Sequence, residues 1–450
     1  PRLTDGSTKE SWIIFRSFSH TDRHGAAGEP SPVGVGIIGV GRRGLELARV
    51  LVRHGEEAGL RLVALQNRTR AKAEEAVAEL DLLDAEVLSR AESRRSAAEA
   101  PSQSRPHYIR VYDSAADLID DPAVGLVMVC TPQYAHREPA IGTLDAGKLL
   151  SLDKPIAHTI EDAAAIAQAE NRSSCAHGAA ARPFIMSFTR RFEAPWTRAW
   201  DLIHKDRVIG PVRMILARNV IPYHIYFHTW HRRIEWSGGA LADKMSHMFD
   251  VFSWFANDEP IRVSAVGGQA VFRPAPDFPE RCSVCDRDCP YRAADGPGAS
   301  AGDNPLRRAD TCVWRPGADI NDHGVVTVEM KRGAKTTLFW SLFGPDADDQ
   351  ETVEVVGDRG RLILTRQTGM IDLVTDYGAR HEILDARGAD ADTSHFGADI
   401  EYIRALGRYA RGEKPVVSGT DGLRAARVVD AAHRSIEGHG RPIELEDSKQ

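Results

Sequence analysis

Val33-Gly34-Val35-Gly36-Ile37-Ile38-Gly39-Val40-Gly41-Arg42-Arg43-Gly44 is the stretch whose reading decides the fold. Its apolar run to Ile38 reads as a buried strand, and the pattern through Leu45, Ala48 and Val52 reads as a helix. Between them stands G-x-G-x-x-G, in the strand–turn–helix setting that gives this motif its meaning. Gly39 allows the tight turn, Gly41 lets a pyrophosphate approach the backbone without meeting a Cβ, and Gly44 lets the helix lie close to the strand. The helix N-terminus offers free N–H groups and a positive dipole end to phosphate. A dinucleotide site is expected here; the alternative is a βα turn with a purely structural role.

Outward from this stretch, residues 60–65 read as the second strand, with Gln66-Asn67-Arg68-Thr69 at its carboxyl end. A carboxylate commonly holds the ribose 2′-hydroxyl at this point. Here an amide stands instead, which tolerates a phosphate, and a guanidinium follows that can pair with one. NADP is therefore expected ahead of NAD, with Asn67, Arg68 and Thr69 at the ribose and Arg42 and Arg43 as further contacts. The plainer alternative is that Arg68 and Thr69 only start the next helix.

Residues 84–106, rich in Ala, Ser, Arg and Glu, read as a surface insertion. Strands at 108–112, 125–130 and 148–152 then alternate with helices at 114–119 and 136–146. Alternation of this kind predicts an α/β domain, a doubly wound parallel sheet of Rossmann type, over residues 31–155. Gly39, Asn67, Thr131 and Lys154 all fall at carboxyl ends of its strands, the edge where such sheets bind ligands. From Phe184 the texture changes to successive strands at 212–219, 262–269, 324–331, 335–343, 351–356 and 360–365, closed by helices at 396–411 and 419–437. An α+β domain with an open, largely antiparallel sheet is expected over 156–445, and residues 1–30 read as a polar arm.

The totals narrow the class. A net charge of −7 gives no general attraction to nucleic acid or to an anionic membrane. No apolar run approaches the roughly 18 residues of a membrane span, and residues 12–15 are too short for the core of a secretory signal. The 450 residues suffice for two domains of a soluble globular protein, and a cytoplasmic location is expected.

Lys154 lies between Asp153 and Pro155 at a strand end, where a lysine can hydrogen-bond a substrate oxygen and stabilise developing charge. Its bland alternative is an exposed lysine paired with Asp153. Further on, Ser237-Gly238-Gly239 marks a turn into a helix bearing Asp243 and His247, four apart and thus one turn up the same face. A histidine beside a carboxylate suits removal of a hydroxyl proton, because its pKa sits near working pH; on a helix such a pair can equally be a surface ion pair.

At this point the chain resembles the glucose–fructose oxidoreductase and inositol dehydrogenase family (Gfo/Idh/MocA). The matching pieces are the glycine fingerprint, Thr131-Pro132 with His136, Ala146-Gly147-Lys148 running into Asp153-Lys154-Pro155, Arg190-Arg191-Phe192, Gly210-Pro211-Val212, Gly238-Gly239 with Asp243 and His247, and Lys414-Pro415. The resemblance covers roughly residues 33–445. It implies a Rossmann domain followed by a substrate domain, and oxidation of a sugar or cyclitol alcohol. By that analogy Lys154 orients substrate and nicotinamide, Asp243 binds a substrate hydroxyl and His247 is the acid/base. Thr131, Pro132 and His136 are placed at the cofactor, and Arg191 at the substrate. The family usually has Glu before Lys-Pro and often Gly two residues before the histidine; this chain has Asp153 and Met245. Lys244-Met245-Ser246-His247 is closer to a branch of the family reading Glu-Lys-Cys-Cys-His, and Asp319-Ile320-Asn321-Asp322-His323 also resembles that branch. A homodimer or homotetramer formed through the C-terminal sheet is expected.

Two further clusters stand out. Cys282, Cys285, Cys289 and Cys312 are four of the six cysteines, spaced as C-x2-C-x3-C with a late fourth, in a polar, glycine-rich loop at 280–315. C-x2-C is the usual half of a structural zinc site, so a zinc knuckle is expected against the alternative of free thiols. Cys130 and Cys175 read as structural. Tyr223 to Arg232 is rich in rings and histidines, which suit a sugar site where rings cover C–H faces; His224, Trp230 and Arg232 are expected at the substrate. Three functions fit these residues: a dehydrogenase of a sugar, glycoside or cyclitol; a glycosidase that oxidises and re-reduces one carbon with tightly held NAD; or a non-catalytic, cofactor-binding sensor. An intact Lys154, Asp243 and His247 count against the sensor.

Overall fold

Strand β1 (Val33–Ile38) runs through the middle of the first sheet, with its last four residues buried. The computed structural model describes residues 31–94, 108–177, 183–275, 277–293 and 310–445, without the side chains of 88–94 and 175–177. The expected arm at 1–30, the later part of the expected insertion and the side chain of Cys175 lie outside these described residues.

After β1 come α1 (Arg42–His54), β2 (Leu60–Gln66), α2 (Arg70–Arg94), β3 (Arg110–Tyr112) and α3 (Ala115–Asp120). Then follow β4 (Leu126–Val129), α4 (Arg137–Asp145), β5 (Leu149–Leu152), α5 (Ile160–His177) and β6 (Phe184–Met186). All neighbours pair in parallel in the order β3-β2-β1-β4-β5-β6. The order reverses between β1 and β4, and ligands of such sheets sit in the crevice outside the strand ends at that point. The sheet gains its sixth strand beyond residue 155, where the sequence reading ended the Rossmann domain. Phe184–Met186 is three buried residues long, too short to show a periodic pattern, and it is held by pairing with Leu150–Leu152.

The glycine fingerprint is explained by space. Gly39 has φ +91°, and a Cβ on Gly44 would stand 2.1 Å from the Gly39 carbonyl oxygen. Gly44→Ala should therefore push α1 off β1, costing about 1–3 kcal/mol, the usual penalty of overpacking a closed interface. Chemical denaturation checks this, and an unchanged unfolding midpoint would contradict it.

The remaining chain forms α6 (Ala194–His204), β7 (Val212–Val220), the short turns α7 (Ile225–His228) and α8 (Ile234–Ser237), a π-helical turn at Leu241–Met245, and α9 (Ser246–Ala256). Strands β8 (Pro260–Gly268), β9 (His323–Met330), β10 (Lys335–Ser341), β11 (Glu351–Gly357), β12 (Gly360–Thr365), β13 (Met370–Thr375) and β14 (Arg380–Asp385) follow. Helices α10 (Ala398–Ala410) and α11 (Gly419–Glu437) and strand β15 (Ile443–Glu444) end the described chain. The second sheet has the order β14-β13-β12-β11-β7-β10-β9-β8-β15 and is antiparallel except for β10 against β7. An α/β domain joined to an α+β domain is thus the architecture.

The last two helices return to the first half. Helix α10 brings buried Asp399 to within 2.8 Å of Arg43 on α1, and Tyr402 to 2.7 Å from Ser151 on β5. Helix α11 packs against α5, α9 and β8. The described residues from Pro32 onward accordingly form one compact unit. Among the described residues no helix is long and apolar enough to cross a membrane.

Candidate functional site

The strand ends of the first sheet and the π-helical turn of the second half meet at Lys154. Its Nζ donates to the main-chain oxygen of Asp243 at 2.7 Å and lies 3.3 Å from the Asp243 carboxylate. The expected pairing with Asp153 does not form; Asp153 instead faces Ser187 at 2.5 Å and Arg43 at 3.7 Å. Lysine and aspartate therefore come together from distant parts of the chain.

Asp243 also accepts hydrogen bonds from Gln133 Nε2 and from the Tyr226 hydroxyl. Burial alone would raise its pKa, but the Lys154 ammonium, His231 and the bonds from Tyr226 and Lys154 outweigh it and hold the carboxyl below the ordinary range. Tyr226 moves the other way: burial and the adjacent carboxylate push its hydroxyl well above its usual value, so it stays a donor. Tyr226 stacks on His231, with centroids 4.7 Å apart, and His231 stacks on Trp230 at 3.9 Å. Trp230 in turn meets the edge of Tyr134, on the loop after β4.

His247 is not paired with Asp243, although the two stand four residues apart, and the turn at 241–245 is π-helical. The two residues make no hydrogen bond to one another among the described contacts. The His247 ring lies edge-on to Phe188 at 5.7 Å, and its buried Nδ1 has no hydrogen-bond partner among the described residues. Burial, then the positive charges of Arg190, Lys154 and Lys244, hold its pKa well below the histidine range. Such a ring is neutral at ordinary pH with a nitrogen lone pair free, while the same burial and charges oppose its holding a proton.

Those charges belong to a buried network behind the ring. Glu351 accepts from Lys244 at 3.0 Å, Arg190 at 2.5 Å and Arg366 at 3.2 Å; Glu193 accepts from Arg190 at 2.7 Å and from Arg366 at 2.9 Å. Three cations face two carboxylates, leaving net positive charge near His247. Desolvation opposes the ionised form of Glu351, but Lys244, Arg190 and Arg366 drive its pKa well below normal. Lys244 also lies over the Tyr223 ring at 4.5 Å and lowers the pKa of that hydroxyl.

Several residues expected at ligands have other work in the fold. Arg191 is buried and donates from Nε and Nη2 to Asp250 at 2.8 and 2.7 Å, which makes it a core ion pair rather than a substrate contact. Arg232 donates to the carbonyl oxygens of Arg315 and Pro316, and burial brings its pKa down to about 10. His136 is fully buried, with Nε2 2.8 Å from the Thr131 oxygen and Nδ1 3.0 Å from the Pro155 oxygen. It pins together the loops after β4 and β5 and cannot reach a nucleotide. His224 packs its ring against His228 and Tyr291, beside the cysteine-rich loop. Gln133, Tyr226 and His231 are the residues the sequence reading did not single out. Tyr226 and His231 lie within the ring-rich stretch it noted; Gln133 carried no signal.

At the fingerprint, Gly41 is exposed, and a Cβ there would have nothing within 4 Å, so the entrance to α1 is open for a pyrophosphate. Gly41 is also the N-cap of α1 and brings no side-chain cap, so this helix end is free for an anion. These residues fit a dinucleotide. Among the expected arginines, Arg43 is bound to Asp399 and Asp153, which keep it charged despite burial. Arg42 is exposed and pairs with Glu46 at 3.2 Å. Arg68 is exposed at the end of β2, and Asn67 turns its amide onto the Thr69 oxygen at 3.1 Å. Thr131 Oγ1 donates to the Ala135 oxygen, and Pro132 is exposed before the turn that carries Gln133.

Cys282, Cys285, Cys289 and Cys312 line one small cavity with Phe278, Tyr291 and Trp314, and none is in a disulfide. Among the described residues, no group of three or more His, Cys, Asp or Glu side chains is placed so that it could hold a metal ion, so the zinc knuckle expected of these cysteines is not formed as the side chains stand.

Comparison with known proteins agrees with this architecture. Residues 33–180 match the family model described as an oxidoreductase family NAD-binding Rossmann fold, and 203–445 match the C-terminal alpha/beta domain of the same oxidoreductase family, GFO_IDH_MocA. A Bacillus subtilis protein named as a putative oxidoreductase, YteT, is 26% identical over 263 residues, 53% of this chain and 59% of its own length. A myo-inositol 2-dehydrogenase of Thermotoga maritima is 24% identical over 344 residues, 75% of this chain and 85% of its own. Among solved structures, an oxidoreductase domain protein from Kribbella flavida superposes with a TM-score of 0.70 at 19% identity, over 93% of this chain and all of that one. A levoglucosan dehydrogenase in complex with NADH and levoglucosan gives 0.68 at 16% identity, with the same coverage.

Proposed function

The chain belongs to the Gfo/Idh/MocA oxidoreductase family, and on that footing we propose that it oxidises a secondary alcohol of a sugar, glycoside or cyclitol with NAD(P). The observation that carries the reading is the 2.7 Å contact of Lys154 with Asp243, which joins the ligand edge of the Rossmann sheet to the helix bearing His247. Similarity to a myo-inositol 2-dehydrogenase supports the substrate class.

When bound, NAD(P) supplies the hydride acceptor. Gly39, Gly41 and Gly44 with the N-terminus of α1 would hold its pyrophosphate. Lys154 donates to the oxygen of the reacting carbinol and stabilises the negative charge that grows there. Asp243 fixes Lys154 and, through Gln133 and Tyr226, is itself fixed. His247, held neutral, takes the hydroxyl proton. Trp230, half-buried at the end of the stack with Tyr226 and His231, would meet the C–H surface of the substrate. A panel of sugars, glycosides and cyclitols, read at the nicotinamide absorbance with each cofactor, tests the reading. Cofactor reduction by at least one member is expected, and a blank panel would contradict it.

The preference for NADP rests on Asn67 and Arg68, since no carboxylate stands at the end of β2 to repel a 2′-phosphate. Arg68→Ala should weaken NADP(H) by about 1.5–3 kcal/mol, the scale of a hydrogen bond to a charged group, and barely affect NAD(H). Titration of both cofactors decides it, and equal losses for the two would overturn the preference.

A further inference from the structure

We propose that the loop of Cys282, Cys285, Cys289 and Cys312 is a structural zinc site, separate from the dehydrogenase centre. Three features of the backbone bring the thiols together. Cys282–Val284 is a turn of 3₁₀-helix, closed by a hydrogen bond from Cys285 N to the Cys282 oxygen at 3.2 Å. Side chains three apart on such a turn eclipse one another, so Cys282 and Cys285 project to one side.

Next, Arg281 and Thr311 form an isolated antiparallel bridge, flanked by bonds from Cys282 N to the Asp310 oxygen at 2.8 Å and from Cys312 N to the Glu280 oxygen at 2.9 Å. Cys282 and Cys312 each follow the bridged pair by one residue. On a pleated ladder both therefore face away from Arg281 and Thr311, on a common side. Last, the chain turns back at Cys289, where Arg292 N donates to the Cys289 oxygen at 3.2 Å and Arg292 Nη1 to the Cys285 oxygen at 2.8 Å. All four cysteines line a single small pocket.

The frame around the thiols is fixed from outside. His228, fully buried, places its two ring nitrogens 2.7 Å from the Thr311 oxygen and 2.8 Å from the Tyr291 oxygen, clasping both limbs of the loop. Asp310 holds Arg281 at 3.0 Å and Ser283 at 2.6 Å. Four cysteines lining one pocket, none of them in a disulfide, supply the donor set of a structural zinc site built from cysteines alone. As they stand, no three of the sulfurs are grouped closely enough to hold an ion; binding would require the side chains to turn inward to about 2.3 Å from it. Among the described contacts no cysteine of this loop touches Lys154, Asp243 or His247, so the metal would hold the loop in shape and take no part in hydride transfer.

The test is metal analysis of the full chain, purified without chelator from cells given zinc. About one zinc per chain is expected, the stoichiometry of one four-thiolate site. Cys285→Ser should bring it below about a tenth of that value, while Ser283→Ala, on the same turn, should leave it unchanged. In case the serine variant does not fold, cobalt substitution of the wild type gives a second reading. Intense thiolate-to-cobalt absorption with tetrahedral d–d bands is expected. Wild-type protein with under about a tenth of an equivalent of zinc and no such bands would overturn the proposal, as would disulfides among these cysteines. None of these readings depends on substrate or cofactor, so a failed zinc test and a failed dehydrogenase assay are told apart.

Discussion

His247→Ala should lower kcat by about 10²–10⁴-fold, the usual contribution of a positioned acid/base, with dinucleotide affinity nearly intact because the fingerprint helix is untouched. The wild-type pH profile should also differ from that of an ordinary histidine. Burial and the charges of Arg190, Lys154 and Lys244 hold the ring neutral to well below its usual range. A base of this kind works in its neutral form. The oxidation rate should stay level through the normal histidine range on its account and fall only in more acid solution. The same shift makes stability pH-dependent. The unfolded chain takes up the proton at about 6.5, whereas the folded ring resists it. The unfolded state thus binds more protons in that window, and the contribution of this group is complete above it and declines as pH falls. Stopped-flow or steady-state rates across pH check the first point, and a His247→Ala profile identical to wild type would falsify the role.

Lys154→Ala should cost a similar factor in kcat, about 10²–10³-fold if its hydrogen bond to the developing alkoxide is comparable to an oxyanion donor. Two secondary effects separate it from a general weakening. One of the cations that depress the His247 pKa is lost, so the acid limb of the rate profile should move to higher pH. Asp243 also loses the cation that chiefly keeps it ionised, and its pKa should rise. Lys154→Met, similar in length but without charge, should behave like the alanine variant. Lys154→Ala with wild-type kcat would remove the lysine from the chemistry.

Much of this was legible in the chain because it rests on local pattern. The fingerprint at 39–44, the strand ends at Asn67, Thr131 and Lys154, and the helices at 398–410 and 419–437 follow from spacing within a few residues. What escaped depends on distant partners. Whether Arg191 meets a substrate or Asp250 is decided by α9, some sixty residues on, and no local feature of Arg190-Arg191-Phe192 distinguishes the two. His136 resembles a cofactor ligand in sequence, yet its neighbours are two carbonyls at the ends of separate strands. The π-helical turn at 241–245 was hidden for another reason. Leu241–Met245 reads as ordinary helix, and one extra residue in a turn leaves no mark on composition. Strand β13 alternates but is only partly buried, and β14, at the sheet edge, is exposed along nearly its whole length, too weak a pattern to separate from loop.

The central claim is that Lys154 from the Rossmann half and His247 from the second half act on one carbinol. The most direct measurement is single-turnover reduction of NAD(P) by a substrate found in the panel, followed at the nicotinamide absorbance in the wild type, Lys154→Ala and His247→Ala. Hydride transfer slowed by about 10²-fold or more in each variant, with cofactor bound as in the wild type, is the expected result. Wild-type transfer rates in both variants would contradict the account.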